Sequence, residues 1–482
     1  MKRRDFLQLA GLAAAWPQAG LSQVAAKKAK PPPGTKPPLG ILVNDVHAQL
    51  SSARVFAIAQ PTDLDGVRKA FELAKTEEKP VCIAGGRHSM GGQPFVQDGV
   101  LIDTRKLDRV IGFDMERGLI EVEAGIMWPK LLQHMFAFQL GREKPWAFSQ
   151  KQTGADRLTI GGSLSANIHG RGLQLAPFIN DIESFRLLNA RGDLLQCSRS
   201  ENTQLFRLAI GGYGLFGFIY SVTLRLVPRR KLERVVELRD IAGLPAAFAE
   251  RIQGGYLYGD FQYAIDERSE DFLRRGVFSC YRPVNDERPV PEKQKELGER
   301  DWVELLNLAH GNKSEAFRRY AAHYLSTNGQ LYWSDEHQMS IYPENYHREI
   351  DRRAAAPNRA TESITEIYCE RERLEAFMAD VRETARREEP AAAPGEIEAD
   401  LRHQRDDREL GGQQVFIGHQ ARVPGLHRRQ EIDLEECDEH LPQHAQHEQR
   451  EQRPEDLRCR NTSSCSAGTS RSGTAPAGRT CA

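Results

Sequence analysis

The chain has 482 residues, with 66 Lys+Arg against 67 Asp+Glu and a formal net charge of −1. That length suits two domains or one large one, and the balanced charge offers no global basic field for nucleic acid. After the N-terminus no apolar stretch reaches the ~18 residues of a membrane helix, so no stable membrane span is expected.

Lys2-Arg3-Arg4-Asp5-Phe6-Leu7-Gln8 precedes the short apolar run Leu9–Trp16 and small-residue sites between Ala19 and Ala26. A charged start, a brief apolar run and a cleavage zone make residues 1–26 an export signal. The Arg3-Arg4 pair followed by Phe6-Leu7 resembles a twin-arginine signal, which carries folded proteins to the periplasm. Residues 27–48, rich in Lys and Pro at their start, read as a linker. Cys82, Cys197, Cys280 and Cys369 lack CxxC spacing, so neither a metal site nor a disulfide framework is expected.

Residues 49–230 alternate strands and helices. Val55–Ala59 reads as a strand, and Thr62 as the cap of a helix with Leu64, Val67, Phe71 and Ala74 on one face. Val81–Ala84, Val100–Asp103 and Leu119–Glu123 read as strands, and Trp128–Phe138 as a helix. Val81–Ala84 runs into Gly85-Gly86-Arg87-His88-Ser89-Met90-Gly91-Gly92-Gln93. Glycines let such a loop turn sharply and bring bare amides against a ligand, a donor surface suited to pyrophosphate. A tight surface turn is the alternative. A second cluster, Gln152 to Gly172, holds five glycines with several hydroxyls, Asn167 and His169, as suits a buried polar ligand. In the third, Gly212-Tyr213-Gly214-Leu215-Phe216-Gly217 spells GxGxxG. The alternating Phe218–Val227 after it is a strand, whereas a dinucleotide fingerprint must open a helix.

The ordered motifs "GGRHSMGGQ", "IGGSLSANIHGRG" and "GGYGLFGFIYSVTLRLVP" resemble the FAD-binding domain of the vanillyl-alcohol oxidase / p-cresol methylhydroxylase (PCMH) flavoprotein family. The resemblance covers roughly residues 50–230 and implies an α+β protein. It would have a PCMH-type FAD-binding domain of two subdomains and an antiparallel-sheet substrate domain that is incomplete at its C-terminus. By resemblance Gly85, Gly86, Arg87, His88, Ser89, Met90, Gly91, Gly92 and Gln93 wrap the pyrophosphate. Thr153, Gly161, Gly162, Ser163, Asn167, His169 and Gly170 surround the flavin, and Ile219 presents its backbone to it. A histidine before a serine is often bonded covalently to the flavin 8α-methyl carbon in that family, and His88 stands at that position. Arg87 stands where many members with that bond have glycine. Some relatives add a cysteine link in the second loop; the corresponding place near Ala155 has none, so at most one covalent bond is expected.

Residues 231–387 form the expected substrate domain. Tyr256-Leu257-Tyr258-Gly259-Asp260-Phe261-Gln262-Tyr263 and Tyr332-Trp333-Ser334-Asp335-Glu336-His337 interleave aromatic and polar residues. They suit either a half-buried sheet or a site for a polyhydroxylated or aromatic alcohol. Glu366, in the strand Ile364–Tyr368, resembles the active-site Glu of alditol and sugar-lactone oxidases, although Tyr368 replaces their Arg. The implied reaction transfers hydride from a carbinol carbon of a sugar, sugar alcohol, lactone or other alcohol to flavin N5. A nearby base takes the hydroxyl proton, and oxygen or an electron carrier accepts the electrons. The alternative is a homologue that binds FAD and turns nothing over.

Residues 388–482 contain a single aromatic, Phe416, and are crowded with Arg, Gln, Glu and His before a Ser/Thr/Gly/Ala run. Little apolar surface is present to offset the entropy of ordering. The expectation is a change of reading frame near codon 388, with an adaptive disordered tail as the alternative. The nucleotide sequence tests it: a shift of frame should restore an apolar strand pattern downstream.

Overall fold

A computed structural model describes residues 40–338 except Ala48, Leu50, Thr153, Asp286 and Glu292. It further describes residues 346–354 and 360–387 and the strands Ala392–Asp400 and Gly412–Arg422. The expected export signal, most of the expected linker and the rest of 388–482 lie outside the described residues. Among the described residues no helix is long and apolar enough to cross a membrane.

Ala57–Ala59, Val100–Asp103 and Val81–Ala84 form a parallel sheet in that order, with the helix Leu64–Thr76 between the first strand and Val81–Ala84 in the chain. Val100, Leu101 and Ile102 are completely buried because both faces of this central strand are covered. Ile102 joins Val67 and Ala70 of the helix with Phe218, while Leu101 joins Cys82, Ala84 and Phe95. The expected strand 55–59 is interrupted at Phe56, splitting into Ala53–Val55 and Ala57–Ala59. Asp63 caps the helix in place of Thr62. Leu64 is the first helical residue, so the residue just before it holds the capping geometry, and its carboxylate accepts from the Gly66 amide at 2.7 Å.

Five antiparallel strands follow in the order Leu194–Ser198, Ile182–Leu188, Phe218–Arg225, Leu119–Glu123, Val110–Asp114. Ile120, Val122, Val222 and Leu224 pack with Leu131 and Leu132 of the helix Trp128–Phe138 and with Ile160 and Leu164 of the short helix Ile160–Ser165. Burying each such side chain contributes about 1.5–3 kcal/mol. Glu123 is completely buried, yet Arg109 donates to it at 2.7 and 3.1 Å and the Tyr220 hydroxyl at 3.2 Å.

The second large sheet has seven strands. Their order is Leu331–Trp333, Lys231–Asp240, Arg275–Pro283, Tyr258–Tyr263, Ala392–Asp400, Gly412–Arg422, Ala360–Glu370. Arg275–Pro283 is central, and its alternate side chains enter different clusters. Phe278 and Cys280 pack with Phe248 and Met378, whereas Val277 packs with Leu305 and Tyr320. By their contacts, residues on both sides of position 230 belong to one compact unit.

The strands Ala392–Asp400 and Gly412–Arg422 fall within 388–482, where low apolar content argues against ordering. They pair antiparallel with each other and join Tyr258–Tyr263 to Ala360–Glu370. The segment is poor in apolar residues on average, but those it has fall in register: Ile397 opposite Ile417, and Ala399 opposite Val415.

Candidate functional site

The first glycine loop begins where Val81–Ala84 ends. A Cβ on Gly85 would lie 2.0 Å from Thr159 Oγ1, and one on Gly86 would lie 2.2 Å from the Arg157 carbonyl oxygen. The first loop is thus pressed against the second, at a distance no side chain allows. Among the described residues no backbone hydrogen bond is donated by the amides of Gly86, Ser89 or Met90. Arg87 has φ +61°, in the left-handed region that favours glycine. Its guanidinium reaches Asp103 at 3.4 Å, and Arg105 holds the same carboxylate at 2.5 Å. Burial pushes the Asp103 carboxyl up, but the hydrogen bonds and charge of Arg105, with Arg87, outweigh it and hold it below the usual range. His88 Nδ1 lies 2.7 Å from His47 Nε2, a partner that sequence reading missed because the arm before residue 49 looked like linker. Gln93 is exposed, and its side chain accepts from the Gly91 amide at 2.9 Å, closing its own loop.

Thr159 caps Ile160–Ser165, its hydroxyl accepting from the Gly162 amide at 3.2 Å. Gly161 allows close approach to Ala124: a Cβ there would lie 2.7 Å from the Ala124 Cβ. The Ser163 hydroxyl accepts from Trp128 Nε1 at 3.2 Å, so it serves the core. Asn167 Oδ1 accepts from the Ile179 amide at 3.0 Å, and the Gly170 amide donates to Gln150 Oε1 at 3.1 Å. His169 is half-buried, with Nδ1 3.3 Å from the Gly170 carbonyl oxygen. Thr153 lies outside the described residues. The third cluster docks on the second through Gly211 N to Leu164 O at 3.1 Å and Tyr213 N to Ser165 O at 3.0 Å. Ile219 is buried in the strand that follows, at a register shift opposite Leu187. All three glycine clusters therefore meet.

Where the second loop ends, the first domain meets the second sheet. Arg171 and Leu173 run beside Leu257–Gly259, with Leu173 N donating to Leu257 O at 2.9 Å and Gly259 N to Arg171 O at 3.0 Å. Arg171 Nε lies 3.1 Å from Asp260 Oδ2, and Lys151 Nζ lies 2.9 Å from Asp156 Oδ1, in surroundings nearly closed to solvent. Burial pushes the Lys151 ammonium down while Asp156 opposes it. Gln338 Oε1 accepts from the Lys151 amide at 2.8 Å, and the Tyr258 hydroxyl donates to the Ser149 carbonyl at 2.5 Å. Asp181 accepts from the Ser149 hydroxyl at 2.6 Å, and burial lifts its carboxyl to about 6. Sequence reading passed over Lys151, Asp181 and Arg171, and took the segments of Asp260 and His337 first as sheet. The available signal was a lysine set between two Gln residues at the start of the second glycine-rich loop.

Glu366 falls on the outermost strand of the second sheet, opposite Phe416. Two strands separate it from Tyr258–Tyr263, three strand spacings or about 14 Å. The backbone therefore does not bring it to the seam.

Residues 56–198 match the FAD binding domain family. That stretch is an FAD-binding domain. The L-gulonolactone oxidase of Bos taurus is 32% identical over 174 residues, which cover 36% of this chain and 38% of that protein. Cytokinin dehydrogenase 9 of Oryza sativa subsp. japonica is 28% identical over 172 residues, 35% of this chain and 32% of that protein. The match thus spans well under half the length of these relatives, and the family match takes in the first two of the three glycine motifs. The FAD-binding domain suits its cofactor in two respects. The first loop closes on the second only because Gly85 and Gly86 carry no Cβ, and the first loop keeps amides available for an anionic diphosphate.

Proposed function

We propose that this chain is an FAD-dependent oxidoreductase acting on a carbinol carbon of a sugar, sugar alcohol, lactone or other small alcohol. The observation that carries the reading is the seam, where a buried set of paired charges and neutral donors adjoins the end of the second glycine loop. When bound, FAD would supply a hydride acceptor for the carbinol carbon, with oxygen or another carrier taking the electrons onward. The protein's part is to position the alcohol, exclude water and receive the hydroxyl proton. In this reading the first loop, Gly85 to Gln93, wraps the diphosphate, with His88 beside it as the point of covalent attachment. The decisive experiment is anaerobic mixing of purified protein with sugar alcohols, sugar lactones and aromatic alcohols while the flavin's visible bands are followed. Bleaching by any of them supports the reading, and a flavin that none of them reduces overturns it. Glu366→Gln tests the residue singled out by resemblance: loss of bleaching with flavin retained supports a role as proton acceptor. Export is proposed from Arg3 and Arg4; replacing both by Lys and fractionating cells should abolish the periplasmic signal.

A further inference from the structure

His337 lies on the single turn Glu336–Gln338 that follows the strand Leu331–Trp333. Its ring sits 4.5 Å from that of Tyr258 and 4.6 Å from that of Tyr281, and the residue is 9% exposed. Both Nδ1 and Nε2 are buried, and neither makes a hydrogen bond of good geometry among the described residues, although the Trp333 and Ser334 backbone lies close enough to act on the ring. Buried polar atoms are almost always satisfied, so two such nitrogens on one ring call for an explanation. A side chain that merely filled this space would serve better as an apolar ring.

The rest of the turn is fully engaged. Gln338 accepts from the Lys151 amide and donates to the Ser334 carbonyl, each at 2.8 Å. Ser334 Oγ accepts from the Arg230 amide at 3.1 Å, and Asp335 accepts from Arg229 Nε at 2.8 Å. These bonds fix the turn while leaving the imidazole atoms unused.

The electrostatics narrow the ligand. Burial first, then Arg171 and Arg234, push His337 down to about 3, so the ring is neutral at ordinary pH. A neutral imidazole offers one N–H donor and one nitrogen acceptor. A hydroxyl group both donates and accepts and so matches it, whereas an ammonium or carboxylate matches only half. Three cations around the seam are paired with carboxylates, Arg171 with Asp260, Lys151 with Asp156 and Arg229 with Asp335, while buried Arg234 is bonded to the Tyr281 and Thr327 hydroxyls instead.

We propose that His337 is a specificity-determining residue that hydrogen-bonds a hydroxyl of a polyhydroxylated substrate at the seam beside the Arg171–Asp260 pair. This rests on the oxidoreductase reading above and narrows its substrate class.

The test uses the full-length, FAD-loaded protein with His337→Phe, which fills the space without nitrogens, and His337→Gln, which keeps a donor and an acceptor. Xylitol, sorbitol and a sugar lactone serve as probes at millimolar concentration, below the range in which polyols stabilise proteins by exclusion. Two quantities are read: the ligand-induced rise in melting temperature, and the concentration giving half-maximal flavin bleaching. For His337→Phe the expected result is an unchanged or higher melting temperature without ligand. Its half-saturating concentration should rise by about tenfold, with His337→Gln in between. A His337→Phe protein that folds and saturates within about twofold of the parent overturns the proposal and leaves the oxidoreductase reading standing. If no probe shifts the melting temperature or bleaches the flavin of the parent, the proposal falls, and the oxidoreductase reading falls with it only if aromatic alcohols also leave the flavin unreduced.

Discussion

Arg87 occupies a backbone conformation that costs a non-glycine residue roughly 1–2 kcal/mol, and its guanidinium partly offsets this through Asp103. Arg105 holds Asp103 independently. Arg87→Gly should therefore change stability by no more than about 1 kcal/mol, because relief of the backbone opposes loss of the ion pair. Asp103→Ala should destabilise by about 2–3 kcal/mol, since it strips the partner from two arginines at once. Urea denaturation of both variants checks the contrast; similar losses would refute it. Asp181 supplies a pH dependence. Its folded value, about 6, lies above the reference of 3.8, so the folded state binds the proton more tightly than the unfolded one. Its contribution is then greatest below the unfolded value and declines as pH rises through about 6. Asp181→Asn does not titrate. Its melting temperature relative to the parent should climb between about pH 4 and pH 7, and a difference independent of pH would count against this.

The elements legible in the chain were those whose signal is local. Val81–Ala84, Val100–Asp103, Leu119–Glu123 and Trp128–Phe138 have the expected bounds because apolar runs, alternation and helical period are carried by neighbours in sequence. The break at Phe56 and the shift of the cap to Asp63 depend on how the chain turns between pairing partners, which no local period encodes. The glycine clusters were legible as loops, while their mutual contact was not. Gly85→Ala would place a methyl 2.0 Å from Thr159 Oγ1 and force the two loops apart. Flavin retained after gel filtration should fall sharply in this variant, and Gly85→Ala with Thr159→Ala should recover part of it. Full retention by Gly85→Ala would show that the loops separate without consequence for the cofactor.

For the whole molecule, the second sheet depends on strands from a segment whose average composition argues against order. Ala360–Glu370 pairs with Gly412–Arg422, which pairs with Ala392–Asp400, which in turn meets Tyr258–Tyr263 at Phe261 and Gln262. Deleting residues 388–482 should leave the edges of both Tyr258–Tyr263 and Ala360–Glu370 open to pairing with other chains. Aggregation in size-exclusion chromatography and a lower melting temperature are expected. A monomeric product that melts with the parent would show those strands to be dispensable.

The sequence by itself determined the α+β character, the three glycine loops and the FAD-binding domain, since each is written in short runs where identity and spacing alone carry the chemistry. Tertiary structure alone decided the seam. Lys151, Arg171, Asp260 and His337 lie on segments separated by as many as 186 positions, from Lys151 to His337. No periodicity relates them. They meet because the end of the second loop lies along Leu257–Gly259 while Gln338 bonds back to Lys151. Whether a buried charge finds a partner, and a buried imidazole finds none, depends on distances through space that chain spacing does not encode.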